Sequence, residues 1–111
     1  MADQSTLDKI AKAKQKKKTA NIIKLMESRH ADSQTLCCGL EALAEIADEA
    51  SVNFITHYLD NPDPAVRIAA CKAGIGIGTD YMKTRVRYQL SAEQDPPTKK
   101  AIQDAFNAKY N

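Results

Sequence analysis

The side chains of this sequence best equipped for chemistry are His30 and His57, with the thiols of Cys37, Cys38 and Cys71. A cysteine nucleophile needs a base within hydrogen-bond reach, and a metal ion needs several ligands at patterned spacing. Neither histidine stands in a metal-ligand pattern. His30 follows the end of one amphipathic run, and His57 falls on the polar side of another. Adjacent cysteines on a helix point about 100° apart, which does not suit joint chelation. Thiols on alanine-rich helices are expected to be small buried apolar groups. No catalytic residue, metal ligand or cofactor-binding residue is therefore assigned, and no cofactor is expected. Three cysteines, two of them adjacent, make no disulfide framework, so a cytoplasmic protein with reduced thiols is expected.

Two other constellations invite a ligand. Gly74, Gly76 and Gly78 resemble a phosphate cradle, but such a loop needs a strand before it and a helix opening after it. Here the glycines fall at the end of a helix, where Gly78 reads as its terminator. Each interior glycine costs up to ~1 kcal/mol against alanine, so close packing on a neighbouring helix is expected. Lys9, Lys12, Lys14, Lys16, Lys17, Lys18 and Lys24 have the spacing to neutralise phosphates. Against nucleic acid stand a net charge of only +2, an acidic middle and no aromatic residues interleaved with the lysines. The tract reads first as a solvated face.

The elements that must carry these residues are helices, and their starts are marked. Asp32-Ser33, Asp63-Pro64 and Asp95-Pro96 recur at steps of 31 and 32 residues. An aspartate at an N-cap accepts hydrogen bonds from unpaired first-turn amides, and its charge suits the positive end of the helix dipole. Proline in the next position already has a helical φ and lacks an amide that would go unpaired anyway. After each aspartate the apolar residues follow one-faced helical spacing, as in Leu36, Leu40, Leu43 or Val66, Ala70, Ala73, Ile77. A second amphipathic run precedes each aspartate: Ile22 to Met26, Val52 to Leu59, and Met82 to Leu90. A helix, turn, helix unit at a fixed period is the mark of stacked repeats.

The central unit resembles a HEAT repeat of the short form found in small bacterial proteins. Leu59, Asp60, Pro62, Asp63, Pro64, Val66, Arg67, Ala69, Ala70, Ala73, Ile77 and Gly78 match that family's pattern, and the flanking units match it less fully. Gly74 stands where the family usually has leucine. Arg67 is replaced by Leu36 and Lys99 in the neighbouring units, which interrupts any acid–arginine ladder. Tetratricopeptide and ankyrin patterns fit worse, for want of tryptophan and of Thr-Pro-Leu-His. The resemblance implies an all-α fold, an α-solenoid (a HEAT-like superhelix) of about three two-helix repeats. The domain spans 1–111, with repeats at 19–47, 49–78 and 80–110.

Residues 1–18 read as a lysine-rich capping helix, a half-repeat opened by a capping box at Ser5 and Asp8. One continuous helix over residues 6–28 is the alternative. Charge is zoned, with +5 over residues 1–30, −7 over 31–65 and +4 over 66–111. Such zoning steers a partner of matching pattern, or is simply each repeat's solvated outer face. No run approaches the ~18 apolar residues of a membrane span, and the N-terminus lacks the apolar core of a signal peptide.

In HEAT-like stacks the second helices line the concave side. By position this implies binding candidates Gln34, Glu41 and Glu45, then Arg67 and Lys72 beside Cys71 or Ile75, then Lys99, Gln103 and Asn107. The expected function is non-enzymatic protein–protein interaction, as a scaffold docking a protein or peptide there. HEAT-like glycosylases use tryptophan, absent here, and HEAT-like hydroxylases use His-Glu pairs, whereas Ala31 and Tyr58 follow these histidines. Accessory work in bilin-lyase-type chromophore attachment is a lesser alternative, as is salt-dependent nucleic-acid binding through the lysines. The last helix, with Ala101, Ala105 and Phe106 partly uncovered, points to homo-oligomer formation end to end.

Overall fold

A computed structural model describes residues 3–110. Met1, Ala2 and Asn111, which the 1–18 segment and the 1–111 domain include, lie outside the described residues. Among those described there are seven helices and no strand: α1 (Gln4–Gln15), α2 (Thr19–Glu27), α3 (Ser33–Ile46), α4 (Glu49–Thr56), α5 (Pro64–Ile77), α6 (Asp80–Ala92) and α7 (Pro96–Tyr110). No helix among them is long and apolar enough to cross a membrane.

Local side-chain chemistry sets the starts. Asp32 heads α3, its carboxylate accepting from the Thr35 amide and hydroxyl at 2.9 Å each. Asp63 heads α5 and accepts from the Ala65 amide at 2.9 Å, with Pro64 in the first helical position. Before α7, Asp95 accepts from the Thr98 amide at 3.2 Å and from the Thr98 hydroxyl. Helices α4 and α6 are capped too, by Asp48 on the Ser51 amide and by Thr79 on the Met82 amide, whereas Lys18 makes no side-chain cap bond at the start of α2. The capping box at Ser5 does not form. Asp3 caps α1 instead, accepting from the Thr6 amide at 2.8 Å, and Ser5 lies inside the helix. A carboxylate two residues upstream is the better acceptor, and it starts the helix sooner.

The stops are equally local. Lys17 adopts φ 55°. Its amide bonds to Lys14 O and the Lys18 amide to Ala13 O, the paired bonds of a Schellman motif. This break separates α1 from α2, so a single helix over 6–28 does not occur. Ala47 ends α3 at φ 56° and Gly78 ends α5 at φ 73°. At the end of α5, Lys109 Nζ donates to Ile75 O at 2.7 Å and Gly76 O at 3.3 Å. A cation there also suits the negative end of the helix dipole.

The odd-numbered helices form a row: α1 packs on α3, α3 on α5, and α5 on α7. Helices α2, α4 and α6 pack against that row, and α2 touches α4. Among the described residues α1 makes no extensive contact with α5 or α7. The core runs through the row, with Ile10, Ile22, Leu40, Leu43, Ile55, Val66, Met82, Val86 and Ile102 almost wholly buried. Two crossings close tightly on a glycine. A Cβ on Gly39 would lie 2.5 Å from Met26 Sδ, and one on Gly74 would lie 2.8 Å from Met82 Cε. The extents are 36 × 26 × 20 Å and the radius of gyration is 13.3 Å. That is about the ~13 Å of a compact chain of this length.

Phe106 is less open than its position in the last helix implied. It is buried, with the Tyr110 ring 4.8 Å away and the Arg87 guanidinium 5.6 Å from its centroid. The uncovered part of that face narrows to Ala101 and Ala105, both half-buried.

Candidate functional site

On the odd-numbered row, Gln34, Glu41 and Glu45 of α3, Lys72 of α5 and Lys99 of α7 are exposed, while Gln103 and Asn107 are half-buried. Glu45 pairs with Lys14 of α1 at 3.0 Å, and this contact raises the lysine pKa. Gln103 donates to Asn107 at 2.8 Å within α7. Glu41, Lys72 and Lys99 have no ion-pair partner among the described residues. The row thus offers carboxylates on α3 and ammonium groups on α5 and α7.

Arg67 belongs to a different arrangement. Its Nε and Nη2 make two 2.9 Å bonds to the Glu93 carboxylate, and its Nη1 donates to Asn61 O at 2.9 Å and Pro62 O at 3.1 Å. The two side chains are 15% and 3% exposed, so the guanidinium is not open to a ligand. The pair is a clamp tying the loop after α4 to the end of α6. Burial of Glu93 works to raise its pKa, but the Arg67 guanidinium and the Asp95 amide hold the carboxyl below the ordinary glutamate range.

The thiols are not activated. Burial pushes Cys71 up to about 12, and the half-buried Cys37 and Cys38 are raised by the same cause. All three are therefore protonated at neutral pH. His30 and His57 are exposed. Among the described residues, no group of three or more His, Cys, Asp or Glu side chains is placed to hold a metal ion.

A cleft that sequence reasoning missed opens between α4 and α6. Helix α4 stops at Thr56 after eight residues, and the His57 and Tyr58 amides bond back only three residues, to Phe54 O and Ile55 O. Such tightening ends the helix and turns the chain aside. Helix α6 runs for 13 residues, and its C-terminal half lines a cavity together with the turn that follows α4. The resulting space of about 530 Å³ is lined by Leu59, Asp60, Arg85, Tyr88, Gln89 and Ala92.

Leu59, in the turn after α4, lies almost wholly buried, while Asp60, Arg85 and Tyr88 are exposed. Arg85 Nη1 donates to Tyr81 Oη at 2.9 Å. A signal for this stripe was present in the sequence, since Tyr81, Arg85, Tyr88 and Ala92 stand at i, i+4, i+7 and i+11. What could not be read was that no helix covers them.

Comparison with protein-family models, with curated proteins and with solved structures returned no match.

Proposed function

We propose that this chain is a non-enzymatic, HEAT-like α-solenoid that binds a protein or peptide along the face made by α3, α5 and α7. The observation that carries this reading is the row itself. It leaves Glu41 on α3 and Lys72 and Lys99 on its neighbours exposed and without ion-pair partners among the described residues. An acid-to-base gradient along one face favours a partner with the opposite gradient and speeds its encounter. Protonated thiols and the lack of a metal-ligand cluster among the described residues fit a binding role better than a covalent one.

Affinity capture from the source cell, with peptide identification, tests it. The expected result is a protein held by the parent chain and lost from a variant carrying Glu41→Lys and Lys72→Glu. Capture that is the same with both charges reversed overturns the assignment to this face.

A further inference from the structure

We propose that the cleft between α4 and α6 docks a short extended segment of a partner protein. This segment sets an acidic side chain against Arg85, a basic one against Asp60, and an apolar or flat group between them on Tyr88. The site is separate from the α3–α5–α7 face and goes beyond the function proposed for it.

Unsatisfied charge is the first argument. Arg85 and Asp60 line one cavity, yet neither makes an ion pair among the described residues. The guanidinium spends one donor on Tyr81 and keeps the rest of its fork, which matches the geometry of a carboxylate. Unpaired charges of opposite sign in one cleft select a ligand carrying both signs.

Exposed aromatic surface is the second. Among the described residues, Tyr81 and Tyr88 are the large apolar-bodied side chains left exposed, at 52% and 64%. They flank Arg85 on the same stripe of α6. Tyrosine and arginine dominate the residues that carry binding energy at protein interfaces.

Rigidity is the third. Arg67 grips Asn61 O and Pro62 O, next to Asp60, and grips Glu93, next to Ala92. Both walls are therefore fixed before a ligand arrives, which lowers the ordering cost of binding. The volume falls within the ~300–1,000 Å³ of typical ligand sites, enough for a few peptide side chains.

Tyrosine beside arginine also suits a single-stranded nucleic acid. Asp60 argues against it, because the phosphates of a strand stacked on Tyr88 would meet that carboxylate, which offsets the one cation among the described residues lining the cleft, Arg85.

The test is selection of a displayed library of random peptides against the full chain, followed by titration of the enriched peptides. Enriched peptides are expected to share an acid and a base at fixed spacing. Arg85→Glu and Tyr88→Ala should each weaken them about tenfold or more. Asp60→Lys should switch the preferred basic residue to an acidic one, while Glu41→Lys with Lys72→Glu should leave binding unchanged. All three cleft positions are exposed, so the variants should keep the parent circular dichroism. Three results overturn the proposal. They are no enrichment over an unrelated helical protein, peptide affinities indifferent to the cleft variants, or oligothymidine binding that Tyr88→Ala abolishes while no peptide binds.

Discussion

At the α2–α4 junction the helices touch and are joined by a polar knot. Thr19 Oγ1 donates to Asp48 Oδ2 at 2.7 Å and lies 3.4 Å from Ser51 Oγ, with Thr19 and Ser51 both buried. At the α4–α6 junction no such bond forms, no extensive contact is made among the described residues, and the cleft opens. The second junction is held from beneath by Arg67 and Glu93. One boundary is therefore closed by direct contact of its helices and the other by a remote clamp. The difference arises at His57 and Tyr58, where α4 tightens and stops. A packed boundary has no room for a ligand, whereas a clamped one keeps its outer side chains free.

Removing the clamp is the most severe way to break this comparison. Arg67→Met should cost about 3–5 kcal/mol, because it leaves a buried carboxylate unpaired. Urea unfolding followed by circular dichroism measures it, and a loss below about 1 kcal/mol would show that the clamp does not hold the junction.

The same pair predicts a pH dependence. The Glu93 carboxyl is depressed in the folded chain, so its stabilising contribution is complete above the ordinary value of 4.5 and is lost as pH falls through its folded value. In Arg67→Met the isolated carboxyl should instead titrate above that value. The deficit of the variant should therefore shrink as the solution is acidified from neutrality.

Each half also has a methionine seated on a glycine, and these two crossings should differ. Gly39→Ala drives its methyl into both Sδ and Cγ of Met26 and should cost about 1–3 kcal/mol. Gly74→Ala meets the mobile Cε of Met82 at 2.8 Å, which can swing aside, and Val86 Cγ2 at 3.1 Å, which needs only a small shift, so it should cost less. Paired thermal unfolding curves compare them, and an equal loss would remove the distinction.

Thr19→Val keeps the shape of the polar knot and deletes its donor. About 1 kcal/mol of destabilisation is expected, with no effect on peptide binding at the cleft. Asp48 is held below the ordinary aspartate range chiefly by the Thr19 hydroxyl, then by Ser51. The penalty should therefore fade as pH drops through the folded pKa of that carboxyl, which lies under 3.8. Smallest of all, Tyr88→Ala should change stability by less than about 0.5 kcal/mol. A larger loss would mean that the tyrosine holds the fold rather than waiting for a ligand.

The all-helical class was legible because its causes are local. An aspartate and the amide it caps lie within three residues, and a one-faced apolar run needs only helical spacing. Asp48 and Thr79 are harder to read as starts, because they stand out of phase with the three aspartates that recur at steps of 31 and 32 residues. The Arg67–Glu93 clamp was invisible for another reason, since its partners are 26 residues apart and a single sequence carries no record of such pairings. Its place in the unit makes Arg67 a groove residue, while its geometry consumes it elsewhere. The cleft was hidden because Tyr58 and Leu59 stay in phase with Val52 and Ile55. The apolar pattern continues although the helix does not.

The bond from Lys109 to the end of α5 has a consequence for how the chain is made. On a ribosome the carbonyls of Ile75 and Gly76 must wait for 34 and 33 further residues, respectively, before that ammonium group reaches them. The central helix therefore emerges with a loose end that only late synthesis can stitch down. Released chains cut short before Lys109 should exchange their amide hydrogens faster over residues 75–78 than the full chain.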